Sequence, residues 1–116
     1  MLSLEPRWIE INVDGENTGK KYFGKFQVKP FLKVKEKAEA VRLAERYMLG
    51  IETTISQREF LTTLALVTYH IVSDDSVEWW KEKGLDLYDE APIYAIASEI
   101  KKMQTPPEQE KTNKNT

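Results

Sequence analysis

The chain has 116 residues, of which 41% are hydrophobic and 31% charged, with no cysteine, one histidine and a net charge of −2. That length suits one domain with its own core. The absence of cysteine excludes disulfides, thiolate metal sites and thiol catalysis. No apolar run approaches the roughly 20 residues that span a bilayer, and Met1–Arg7 lacks the basic and apolar regions of a signal peptide. A cytoplasmic protein is expected.

From Trp8 to Val13 the residues alternate, with Ile9, Ile11 and Val13 on one side and Trp8, Glu10 and Asn12 on the other. This is the two-residue period of a strand. Asp14-Gly15-Glu16-Asn17-Thr18-Gly19-Lys20 is rich in turn formers. Tyr22 to Pro30 alternates again, so the N-terminal third predicts a β-hairpin. Gly24 marks a bulge or a close approach of another backbone, and Pro30 ends the pairing.

The period then lengthens. Val34, Ala38, Val41, Ala44 and Met48 recur every three or four residues, and Gly50 follows as a stop. A first amphipathic helix is predicted over Val34 to Leu49, buried along that stripe. In Ile55-Ser56-Gln57-Arg58-Glu59-Phe60, Ser56 and Glu59 have capping-box spacing, with Ile55 and Phe60 as its hydrophobic staple. The helix that follows reaches about Val72 and is apolar over most of its surface, which marks it as central. Asp74-Asp75-Ser76 breaks it and caps a short third helix, Val77 to Lys83, stopped by Gly84. A fourth helix opens between Asp89 and Pro92 and buries Ile93, Ile96, Ala97, Ile100 and Met103. The expectation is an α+β domain over residues 1–103, an N-terminal hairpin packed against about four helices with helices dominant. Residues 104–116 have no apolar residue but proline beyond Gln104 and read as a flexible tail.

The chain offers little for catalysis. His70 lies inside the apolar second helix and reads as structural. Asp74, Asp75 and Glu78 are explained by capping and the helix dipole rather than by a metal. Asn17-Thr18-Gly19-Lys20-Lys21 lacks the upstream glycine of a phosphate loop and reads as a turn. No catalytic residue, metal or cofactor is therefore assigned, and the chain is expected not to be an enzyme.

Binding residues are better represented. Residues 17–37 hold seven lysines against the single Glu36, a local balance of +6, and residues 74–99 hold eight acids against two lysines, −6. Such opposed blocks point to contact with a partner or a second copy, through Lys20, Lys21, Lys25 and Lys29 on one side and Asp86 and Asp89 on the other. Adjacent helical residues point about 100° apart, so Trp79 and Trp80 cannot share one core, and at least one is expected at the surface. Together with Tyr88, Tyr22 and Phe23 they form the candidate protein-binding set. Lysines interleaved with aromatics also suit a single strand of nucleic acid. The acidic balance, the lack of arginine in the cluster and the inward parity of Phe26 argue against it.

The hairpin Thr18-Gly19-Lys20-Lys21-Tyr22-Phe23-Gly24-Lys25-Phe26-Gln27-Val28-Lys29, the capped apolar helix, Glu78-Trp79-Trp80-Lys81 and Gly84-Leu85-Asp86-Leu87-Tyr88-Asp89 occur in an order that resembles tail assembly chaperones of long-tailed bacteriophages. The resemblance runs from about Trp8 to Met103. It implies a non-catalytic protein of the host cytoplasm that coats the tape measure protein, keeps it soluble and recruits tail tube subunits. It identifies no binding residues. A virion or head–tail structural component is the alternative, and a small nucleic-acid-binding accessory protein the second.

Overall fold

A computed structural model describes residues 3–73 and 77–105. The predicted hairpin is formed by β1 (Arg7–Asp14) and β2 (Lys21–Val28), antiparallel in an unbroken register that sets Ile9 opposite Phe26 and Ile11 opposite Gly24. The alternation falls as the sequence dictates. Ile9, Ile11, Tyr22, Phe26 and Val28 are buried, and Trp8, Glu10, Phe23 and Lys25 face outward. Gly24 carries no bulge. A Cβ there would lie 3.1 Å from the Val77 side chain, so the glycine makes room for a side chain rather than a backbone.

Helix α1 (Val34–Met48) and helix α2 (Ile55–His70) form an antiparallel pair, and α2 packs in turn on α3 (Ala91–Gln104). The capping box of α2 lies two residues earlier than expected. Thr54 Oγ1 accepts from the Gln57 amide at 3.2 Å, and Gln57 Oε1 accepts from the Thr54 amide at 2.8 Å. Thr54-x-x-Gln57 has the same chemistry as Ser56-x-x-Glu59, and the earlier pair wins because it leaves Ile55 as the first helical residue. Ile55 is then exposed and forms no staple.

The chain does not continue α2 to Val72. The helix ends at His70 and Ile71–Ser73 form a third strand, β3, paired antiparallel with β2 to give the order β1-β2-β3. Ile71 and Val72 are β-branched, which favours the strand. His70 seals the junction. The Lys29 amide donates to the His70 carbonyl at 2.8 Å, and His70 Nδ1 donates to the Lys29 carbonyl at 2.6 Å.

Three α-helices are present among the described residues, not four. The segment expected to be the third is a single 3-10 turn at Glu78–Trp80 followed by turns. Lys83 (φ 55°) and Gly84 (φ 83°) are both left-handed, which no continuing helix allows. The proposed caps Asp74, Asp75 and Ser76, and the proposed tail from residue 106 on, lie outside the described residues. Helix α3 begins as anticipated, with Pro92 in its first turn and Ile93, Ile96 and Ile100 buried against the sheet and α2. The result is two layers: a sheet with one face open, and α2 and α3 over the other.

Gly84 is both left-handed and closely packed. A Cβ would lie 3.0 Å from both Ile93 Cδ1 and Leu64 Cδ1, and its φ already disfavours any side chain. Gly84→Ala is expected to destabilise the fold by about 1–3 kcal/mol, combining left-handed strain with overpacking. Urea denaturation checks this, and an unchanged midpoint would contradict it.

Candidate functional site

The hairpin loop and the start of α3 are locked together. Asp89 is 2% exposed. One carboxylate oxygen, Oδ1, accepts from the Asn17 and Thr18 amides at 2.7 and 3.1 Å, and Oδ2 accepts from the Thr18 and Tyr22 hydroxyls at 2.5 and 2.8 Å. The loop reciprocates. The Glu16 carboxylate accepts from the Glu90 amide at 2.9 Å and the Ala91 amide at 3.0 Å, where the orphan donors of α3 would otherwise be bare. Asn17 Nδ2 donates to the Tyr88 carbonyl at 2.8 Å. Gly15 is obligatory here, since a Cβ would sit 2.2 Å from Asp89 Oδ2.

Burial acts to raise the Asp89 pKa, but the hydrogen bonds from Thr18, Tyr22 and Asn17 outweigh it and hold the carboxyl at about 2. Burial likewise opposes ionisation of Glu16, and the Glu90 and Ala91 amides bring its pKa below the ordinary carboxylate value. The Tyr22 hydroxyl is pushed up by burial and by its anionic partner. The arrangement is a structural clasp of satisfied groups.

These contacts correct several of the candidate binding residues. Tyr22 is buried because its parity is that of Phe26 and Val28, so it is not a surface aromatic. Asp89 serves the clasp and offers no charge to a partner. Trp80 is 2% exposed, its ring edge-on to Phe26, and its buried Nε1 has no hydrogen-bond partner among the described residues. Trp79 is half-buried. Its Nε1 donates to the Phe23 carbonyl at 2.9 Å and its ring packs edge-on against Tyr22 and Phe26. The two indoles do diverge, but Trp79 leans on the ribbon instead of standing free. Phe23 (53% exposed) and Tyr88 (81%) remain surface aromatics, and Trp8 (61%) joins Phe23 on the open face of the ribbon.

The lysine block is not a bare basic face. Lys25 is opposite Glu10 and Lys21 opposite Asp14 across the hairpin. The Lys29 ammonium pairs with Glu36, whose carboxylate also accepts from the Lys33 amide at 2.9 Å; the Lys29 bond lowers the Glu36 pKa. Lys20 lies 5.5 Å from the Tyr22 ring centroid. Among the acids, Glu78 pairs with Lys81 and Glu99 with Lys102, while Asp86 is exposed. The fold thus sets Lys21, Lys25 and Lys29 beside acids.

The surface that sequence reasoning missed is the outer face of α1. The stripe Val34, Ala38 and Val41 faces solvent, with Val34 85% exposed and Val41 49%. The opposite stripe, Ala40, Leu43, Ala44 and Tyr47, meets α2. Both stripes have helical spacing, and periodicity alone does not choose between them. The small Ala40 and Ala44 win because they allow close approach to α2. Leu49, Ile51 and Ile55 extend the exposed apolar surface past the end of α1.

His70 is buried, as a structural histidine should be, and burial lowers its pKa despite the bond to the Lys29 carbonyl. It lies at a hollow of about 390 Å³ that also touches Leu32, Leu66, Ile100, Lys37 and Lys101. No three His, Asp or Glu side chains converge as a metal-binding set among the described residues; Asp74 and Asp75 lie outside them. No helix among the described residues is long and apolar enough to cross a membrane. Comparison with known protein families, characterised proteins and solved structures finds no match to the chain.

The clasp gives a pH signature. A carboxyl whose folded pKa is below its ordinary value of 3.8 stabilises the fold above that pH, and the contribution is lost as pH falls toward about 2. Asp89→Asn is expected to lower the denaturation midpoint at pH 7 and to flatten the stability loss between pH 3.8 and about 2. A variant with the wild-type acid profile would show that another carboxylate governs that limb.

Proposed function

We propose that the chain is a non-enzymatic binding protein of the tail assembly chaperone type found in long-tailed bacteriophages. In this reading it acts in the host cytoplasm, holds the tape measure protein in soluble form and helps bring tail tube subunits to it. The observation that carries the reading is the outer face of α1, a row of apolar side chains on a helix whose opposite side is already occupied by α2. A helix with apolar stripes on both sides has one more partner than the domain supplies.

The chemistry of that face suits an amphipathic helix. Val34, Ala38 and Val41 supply the anchors at helical spacing. Lys35, Lys37, Arg42 and Arg46 are exposed on the same helix against Glu45, so an acidic flank on the partner complements them. Phe23, Tyr88 and half-buried Trp79 supply a second aromatic surface, on which a tube subunit or a neighbouring copy is proposed to rest. The nucleic-acid reading loses support because each exposed hairpin lysine of β2 has an acid opposite it. The structural-component reading differs in the lifetime of the complex: a chaperone is absent from the finished particle.

Coexpression with the tape measure protein tests the proposal. The chain is expected to keep that protein in the soluble fraction and to copurify with it. The double variant Val34→Asp, Val41→Asp is expected to lose copurification at least about tenfold, two buried apolar anchors each being worth about 1.5–3 kcal/mol, with an unchanged melting temperature. Equal solubility of the tape measure protein without the chain would overturn the reading. Recovery of the chain in purified virions would favour the structural component.

A further inference from the structure

A different surface, unrelated to the α1 face, is the outer edge of the sheet. Among the described residues strand β1 pairs only with β2, so its other side is an edge eight residues long. Natural edges are blunted by shortness, lysine, proline or a bulge. The edge at β3 obeys this rule with three residues. Strand β1 is long, regular in register and free of lysine and proline, and the charges it does carry are Arg7, Glu10 and Asp14.

The space beside that edge is open and walled. Glu10, Ile11, Asn12 and Val13, four consecutive residues, share a groove of about 280 Å³ with Ala95, Ser98 and Glu99 of α3. Consecutive strand residues point to alternate faces, so a groove that touches all four runs along the edge rather than over either face. A second hollow, of about 480 Å³, touches Trp8, Ile9, Glu10 and Lys25 of β2, and so reaches across the β1–β2 pair instead of along the edge. The helix wall is made of small residues where it meets the first groove. Ala95 and Ser98 line it beside Glu99, and an added strand would lie about 4.8 Å from β1.

We propose that this edge is a docking site for an extended segment of another polypeptide, added as a fourth strand, in which basic residues alternate with apolar ones. Charge selects that occupant. The outward row of β1 is Trp8, Glu10, Asn12 and Asp14, with two acids and no cation, and on its inner side Lys25 and Lys21 already stand opposite the two acids. A strand bearing lysine or arginine beyond Glu10 and Asp14 completes an alternating ladder of charge across the sheet, each opposed pair favourable. Its apolar residues then point to the face that Ile9, Ile11 and α3 enclose. A second copy of the chain is a poorer occupant. Pairing β1 with another β1 keeps each row on its own face, and the outward row holds no cation to set against Glu10 or Asp14.

The probe is a seven-residue peptide of alternating lysine and valine, acetylated and amidated, titrated into the full chain while hydrogen exchange is followed by NMR. Saturable binding below ~1 mM with slowed exchange of amides within residues 8–13 is expected. Two further peptides, N-methylated at every lysine or at every valine, separate strand addition from mere attraction. Amides of alternate residues leave opposite edges of a strand, so one methylated peptide is expected to lose binding and the other to keep it. Glu10→Lys is expected to weaken the parent peptide roughly two- to fivefold. Absence of saturation, equal binding of both methylated peptides, or a free chain that sediments as a dimer with β1 already protected would each overturn the proposal.

Discussion

The fold depends on one carboxylate. Asp89 gathers two amides and a hydroxyl from a loop some seventy residues earlier in the chain and a second hydroxyl from Tyr22 of β2, and Glu16 on that loop accepts in turn from the first amides of α3. A charged acceptor with several donors forms stronger bonds than a neutral one. A buried anion missing any of them would be costly. The consequence is positional. With the loop held at the head of α3, the helix lies along β1 with Ile93, Ile96 and Ile100 over the sheet. Tyr22, inward by strand parity, is tied to the same acid, and Phe23 is left on the outer face.

Much of this was legible in the sequence where a local rule had no rival. The alternation of Ile9, Ile11 and Val13 fixed the inner face of β1, and Pro92 with the Ile93, Ile96, Ile100 spacing fixed α3. The failures occur where two local solutions compete. Thr54-Gln57 and Ser56-Glu59 are both capping boxes, and α1 has two apolar stripes. In each case the choice came from tertiary contact, which periodicity does not contain. The strand at Ile71–Ser73 is too short to show a period at all. The segment after Val77 resembles a helix in composition, but consecutive left-handed residues at Lys83 and Gly84 bend it back so that Trp80 fills the space between Phe26 and Ile93.

The candidate site was read less well than the fold, for a related reason. Clusters of charge along a chain need not remain clusters in space. The hairpin sets its lysines across from acids, and the acid with the most unusual environment, Asp89, is occupied by internal hydrogen bonds. Tyr22, Trp80 and Asp89 were plausible contact residues by type, and the interior claimed all three. The large apolar and aromatic side chains left exposed include Val34, Val41, Phe23, Trp8 and Tyr88.

The distance along the chain between the two halves of the clasp also bears on biosynthesis. During translation the hairpin emerges first, with Ile9, Ile11 and Phe26 on a face that α2, the Val77–Trp80 segment and α3 later cover, and the acid that anchors its loop arrives about seventy residues later. The nascent ribbon therefore waits uncovered until α3 has been made. The body then closes as one cooperative unit, and a product released before residue 89 cannot close it at all.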